Sequence, residues 1–315
     1  MTNPIDVHGM LTRLSGSPLL MLREAIPALI ARVRGMVVVE VGDSPHKVVL
    51  YSRDKNPPPP LPESRVPRLP RIDNAVAVIR VQGVMGQRRS GDCWAGTCTE
   101  DVSAQLLEAD ANPNIGAIVM DFDTPGGIAY GLPEAAEVMR QVRQSTPIYS
   151  LANPMSASAG LFLSSQASKA FASLSGLVGS HGVRMTHIDI SEMLAKDGVR
   201  VTSIATSDAK TEGSMFEPLS DPARAEMERV VTHHMGIFTE ALALGRNVTK
   251  QHVLDNFGQG RMIEAIGPKN AKDRGMIDGV ATLGELLAGI IKPRESRGRA
   301  RSLASAIAIE AELGA

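Results

Sequence analysis

The stretch "IGAIVMDFDTPGG", residues 115–127, opens on a nearly unbroken apolar run and closes on a Pro-Gly-Gly turn. A strand that faces water on one side alternates apolar and polar residues. One that is apolar at successive positions is covered on both faces, as in a parallel sheet with helices above and below. The flanking segments fit that arrangement. Upstream, "AVAVIRVQG" (75–83) is a second apolar strand. The helix between the two carries Val102, Leu106 and Ala109 on one face, and Thr97 and Glu100 have capping-box spacing at its start. Downstream, a helix over 133–143 holds Val138, Met139 and Val142 on one side, and "PIYSLA" (147–152) is the next strand. "NPMSASAGLFLSSQAS" (153–168) supplies a helix and "KAFAS" (169–173) a short strand. Residues 188–196 read as a helix stopped by Gly198, and "VRVTSIA" (199–205) as a strand. Asp221-Pro222 opens a helix that runs to about 244. The β-α-β-α order predicts an α/β fold with a right-handed parallel sheet.

Ahead of this region, residues 18–34 read as an amphipathic helix, followed by strands at "MVVVEV" (36–41) and "KVVLY" (47–51). Seven prolines between Pro57 and Pro70 forbid both helix and central strand. The expected division is therefore a small N-terminal module (1–52), a Pro-rich linker (53–73), a main domain (74–291) and a flexible tail (292–315).

With 315 residues, 43% apolar and 21% charged, the chain has the make-up of a globular protein. Its formal net charge of -1 argues against nucleic acid as the main partner. No segment reaches the ~18 uninterrupted apolar residues of a membrane span, and no secretory signal layout is present, so a cytoplasmic location is expected. Cys93 and Cys98 cannot complete a tetrahedral zinc site by themselves and read as free thiols. No metal or cofactor is expected.

Ligands in parallel sheets gather where strands end and helices begin. Three such loops stand out: Pro125-Gly126-Gly127, the serine stretch from Ser156, and "GSHGV" (179–183). Ser156 has the place of a helix cap. Ser158 sits further in, between Ala157, Ala159 and Gly160, where the absence of bulk leaves room for a substrate to approach its hydroxyl. A nucleophilic serine needs a base. His181, His187, several carboxylates and Lys210 are all candidates, and spacing alone makes Lys210 a solvated surface residue.

Five motifs in a fixed order between about 75 and 285 resemble the serine–lysine peptidases related to signal peptide peptidase A. The likeness is strongest to their bacteriophage branch, the prohead (capsid maturation) proteases. "GAIVMDFDTPGG" is similar to that family's strand followed by Ser-Pro-Gly-Gly, with Thr124 in the serine's place. "SASAGLFLSSQAS" resembles the nucleophile run Ala-Ser-(Gly/Ala)-(Gly/Ala)-aromatic, with Leu161 where an aromatic is common. "GSHGV" resembles Gly-Ser-Ile-Gly-Val, with His181 in the isoleucine slot. "AKTEGSMFEPLSDPAR" (209–224) resembles the segment around the catalytic lysine, and "AKDRGMIDGV" (271–280) the closing Ala-x-x-x-Gly-Leu-Ile-Asp.

The resemblance implies a crotonase/Clp-protease-like fold of βαβ units, a homo-oligomer, and a site close to a subunit boundary. It implies a serine endopeptidase with Ser158 as nucleophile and Lys210 as base. Gly126 or Gly127 together with Ala159 would form the oxyanion hole, and Ser180 would orient Lys210. The substrates would be polypeptides, scaffold or capsid proteins processed in the host cytoplasm or procapsid. Three alternatives stand beside this: a soluble signal-peptide-peptidase-like protease, a non-proteolytic capsid assembly factor, and an acyl-CoA hydratase or isomerase on the same kind of sheet.

Overall fold

The computed structural model describes residues 69–72, 74–88 and 96–291, together with the strand backbones at 19–21 and 49–51. The predicted strand at 36–41, most of the Pro-rich linker and the tail from 292 lie outside these residues.

The larger sheet is built around three long strands: β3 (Ala75–Gln82), β6 (Ile115–Thr124) and β8 (Ile148–Ala157). They pair in parallel, β3 with β6 and β6 with β8. β8 changes neighbour half-way along. Its first half pairs in parallel with β9 (Lys169–Ala172), and its last residues pair in parallel with β10 (Leu177–Gly179). β2 (Val49–Tyr51) adds antiparallel to β3 at one edge, and β11 (Met262–Glu264) adds antiparallel to β10 at the other. β12 (Gly279–Val280) continues from β9. The fold is thus α/β with a mostly parallel sheet.

A second, smaller sheet has the order β1-β7-β4-β5, formed by Leu19–Met21, Gly126–Ile128, Val84–Gly86 and Gly96–Cys98 respectively. Both strands described from the N-terminal stretch therefore join sheets built by later residues. At Leu19–Met21 the chain is extended, where the local period suggests helix; pairing with β7 overrides propensity there.

Both faces of the large sheet are covered, which explains the unbroken apolar runs. On one face, Ala77, Ile79, Val81, Ile118, Met120 and Phe122 pack under α1 (Thr99–Ala111) and α2 (Leu132–Val142). The short α3 (Ala159–Ser164) and the long α5 (Asp221–Arg246) complete that layer, the latter through Phe238 and Leu242. On the other face, Val76, Val78, Val119, Tyr149 and Leu151 meet Leu286, Leu287 and Ile290 of α7 (Leu283–Ile290). Between α5 and α7 lies α6 (Lys250–Asn256), and before α5 comes α4 (Ser191–Lys196).

Three local expectations are corrected. Thr97 does not cap α1: its hydroxyl exchanges hydrogen bonds with the backbone of Gln82, donating to the carbonyl (2.9 Å) and accepting from the amide (2.8 Å). Glu100 meanwhile pairs with Arg88. Cys98 is disulfide-bonded rather than free. Residues 199–205 form no strand: among the described residues no strand pairs with them, and every residue from 195 to 210 is exposed. Among the described residues no helix is long and apolar enough to cross a membrane.

Candidate active site

β8 delivers Ser158 to the start of α3. Its backbone is held from both sides: its N–H donates to Gly179 O (2.8 Å), and its own carbonyl accepts from the Phe162 amide (2.9 Å). The resulting φ of 52° with ψ of -107° is one that a residue with a Cβ seldom adopts. Strain of this kind persists only where the surroundings impose it. The hydroxyl is fully buried and has no hydrogen-bond partner among the described residues. An unsatisfied buried hydroxyl costs about 1–3 kcal/mol, so a strained and unsatisfied serine at a strand–helix junction is held against stability.

Ser156 is different. It lies within β8, not at a helix cap, and its hydroxyl donates to Ser164 Oγ at the far end of α3 (2.9 Å). That bond ties helix to strand and leaves Ser156 structurally employed. The small residues around Ser158 also have a packing role, where the sequence suggests only room for a substrate. Ala157 and Ala159 are fully buried, and a Cβ on Gly160 would lie 2.5 Å from Thr124 Cγ2 and 3.2 Å from Ser156 Oγ. Smallness here lets α3 sit down on the sheet.

Thr124 organises the glycine turn. Its hydroxyl donates to Gly83 O (2.6 Å) and accepts from the Gly126 amide (3.1 Å). Gly126 has φ 99°, open to glycine, and a Cβ on Gly127 would collide with the backbone carbonyl of Met85. The Gly126 N–H is thus already engaged. β7 packs against α3, and Thr124 stands opposite Ser156 in the sheet, so the turn and Ser158 occupy the same end of the strands.

The third loop arrives there through β10, whose Gly179 pairs with Ala157. Ser180 follows with φ 59° and donates its amide to Arg261 O (2.8 Å). His181 is buried, with its ring edge on Phe238 at 4.8 Å between centroids. Its Nε2 lies 3.1 Å from Thr239 Oγ1, and the Thr239 hydroxyl spends its one proton on Met235 O (2.9 Å). Nε2 therefore carries the imidazole proton, and the buried Nδ1 lone pair has no partner among the described residues. Burial pushes the His181 pKa down to about 4, so the ring is neutral at pH 7.

Lys210 ends a 3-10 turn, Asp208–Lys210, on the exposed arm. The structure brings Ser158, Ala159, Gly126, Gly127 and Ser180 to one end of the sheets; within the single chain it joins no hydrogen bond between Lys210 and Ser158. Nothing in the sequence signals that Gly126 is engaged by Thr124 or that Nδ1 of His181 is orphaned, since both depend on contacts between distant segments. The closing motif has a structural use. Asp278 accepts from the Ala170 amide (2.8 Å) and from Arg246 Nη1 (2.9 Å), which ties β9 to the end of α5.

Comparison with known proteins yields a match of residues 140–292 to the model of peptidase family S49. The chain is 31% identical over 187 residues to capsid assembly protease C of Escherichia phage lambda, covering 59% of this chain and 43% of that protein. It is 31% identical over 182 residues to head-tail preconnector protein GP5 of Enterobacteria phage P21, covering 57% and 36%. Protease 4 of Haemophilus influenzae is 26% identical over 219 residues, covering 68% and 34%. The chain thus spans less than half the length of these relatives. Among solved structures, a point mutant of ClpP1 from Listeria monocytogenes overlays 66% of this chain and 94% of its own, with a TM-score of 0.41 and 14% identity. The resemblance read from the five motifs is met by the family match and by these relatives.

Proposed function

We propose that the chain is a serine endopeptidase in which Ser158 attacks the scissile carbonyl and Lys210 takes its proton. The observation that carries this reading is the Ser158 hydroxyl: buried, strained in its backbone and unpartnered, beside a glycine turn and within the residues that match the peptidase family. The acyl-enzyme forms as the Ser158 Oγ–carbon bond replaces the peptide bond and the leaving amine takes the proton from Lys210. Lys210 then deprotonates the water that releases the acid. The amides of Gly126 or Gly127, with that of Ala159, are the oxyanion donors of this reading. Ala159 opens a helix, where the first amides have no intrahelical acceptor. The Gly126 amide rests on the Thr124 hydroxyl and Gly127 is paired with Leu20 and Met85, so the oxyanion takes a glycine amide from its present partner. Ser180, on the neighbouring strand end, orients the amine.

A lysine acts as a base only once it is withdrawn from water, and Lys210 is exposed in the single chain. The arm that carries it displays Met193, Val199, Val201 and, at 96% exposure, Ile204. Such an apolar display supports self-association, with Lys210 of one copy reaching Ser158 of the next. The substrates of this reading are head proteins of a phage or prophage, scaffold or capsid chains cut during maturation in the host cytoplasm or procapsid. The relatives named as a capsid assembly protease and a head-tail preconnector protein favour it over a signal-peptide-peptidase-like role.

The test is labelling with a fluorophosphonate and hydrolysis of peptides. Wild type labels at Ser158 and cuts; Ser158→Ala and Lys210→Ala each do neither, with fold intact. Mixing the two inactive variants restores activity if the pair is completed between copies. Labelling that survives in Ser158→Ala removes the assignment.

A further inference from the structure

The edge of β7 is the natural place for a peptide next to Ser158. β7 begins at Gly126, whose amide is bonded to Thr124, and Thr124 stands opposite Ser156, two residues before the serine. One side of β7 is taken by β4, through Met85 and Gly127. The other side would be an open strand edge, and an open edge is a template for any extended chain. With glycine at two of its three positions, β7 offers such a chain mainly its backbone, which recognises extended peptide of almost any sequence.

That edge is not open. β1 lies along it antiparallel, with Leu19 opposite Ile128, Leu20 opposite Gly127 and Met21 opposite Gly126. The occupant comes from the chain's own N-terminal stretch, where "LLML" (19–22) is a short apolar run free of glycine and proline.

We propose that Leu19–Met21 is a built-in competitor that fills the peptide-docking edge of β7 and must leave before a substrate strand can pair there. This rests on the peptidase reading of Ser158. Being tethered, the segment is present at an effective concentration in the millimolar range, so it holds off weakly binding peptides and yields to substrates that bind well or to its own removal. A competitor of this kind raises the apparent KM and leaves kcat unchanged.

The experiment uses the full chain. Leu20→Pro and, separately, Met21→Pro each delete a backbone N–H from β1. Successive residues of an antiparallel strand face opposite edges, so one of the two donors points at β7 and the pair of variants covers both registers. The variant whose donor faces β7 is expected to show a KM for a fluorogenic peptide lowered about tenfold, kcat unchanged, and inhibition restored by a synthetic peptide of residues 17–22. An unchanged KM in both variants overturns the proposal. Hydrogen exchange at Gly126–Ile128 reads the pairing without turnover. It quickens in at least one of the two variants if β1 covers the edge, and exchange unchanged in both overturns the proposal even where peptidase activity is intact. Quickened exchange in a chain that neither cuts peptide nor labels at Ser158 overturns the peptidase reading instead, and the competition with it.

Discussion

Gly160 lies so close beneath Thr124 that a Cβ would stand 2.5 Å from the threonine's Cγ2. Gly160→Ala is therefore expected to destabilise the protein by about 1–3 kcal/mol through overpacking. Thr124→Ser deletes Cγ2 and keeps the hydroxyl that serves Gly83 and Gly126. The double variant should recover most of the loss in chemical denaturation. Simple additivity of the two single effects would show that this contact is not its source.

Ser158→Ala and Ser156→Ala should separate function from structure. Removing the unpartnered Ser158 hydroxyl is expected to leave stability unchanged or raise it by about 1 kcal/mol, while activity disappears. Ser156→Ala breaks the bond to Ser164 and should cost about 1 kcal/mol with activity retained. Thermal melts paired with fluorophosphonate labelling read both. The reverse pattern would move the nucleophile to Ser156.

Ile204, almost wholly exposed on the Lys210 arm, supplies a test of assembly. Ile204→Glu should change the stability of the chain by no more than about 0.5 kcal/mol. It should still abolish self-association in sedimentation, and peptide cleavage along with it. Cleavage by a variant that sediments as a monomer would place the whole site within one copy.

Acid should weaken the fold in two stages. The buried His181 has its pKa pushed down to about 4. Between the unfolded value near 6.5 and that folded value, the unfolded chain binds the extra proton; stability present above pH ~6.5 is lost as pH falls, by about 3 kcal/mol in all. His181→Ile should flatten denaturation midpoints across that window. Asp278 acts further down. Burial raises its pKa, but the Arg246 bond and charge, the Ala170 amide and Lys169 outweigh that and leave it lowered. Its contribution is present above the ordinary carboxylate range and vanishes as pH drops through the folded value.

What could be read from the sequence was whatever depends on runs of residues. The apolar strands at 75–82 and 115–124 and the faces of α1 and α2 follow directly from their periods. Capping was harder. Thr97 and Glu100 have the right spacing but are claimed by Gln82 and Arg88, whereas Thr282 and Glu285 form the reciprocal box at α7. Residues 199–205 have strand composition but, among the described residues, no strand to pair with, a conflict that local sequence cannot reveal. At the site, the small neighbours and the motif single out Ser158 as the candidate nucleophile. Its φ, its orphaned hydroxyl and the competing β1 are set by contacts between segments far apart in the chain.

The lock that Gly179 places on Ser158 also ties the serine to a much later part of the chain. Gly179 pairs with Met262 and the next amide, that of Ser180, donates to Arg261 O. A polypeptide cut short near Lys210 lacks the strand that holds β10, so its serine is left without the clamp that shapes it.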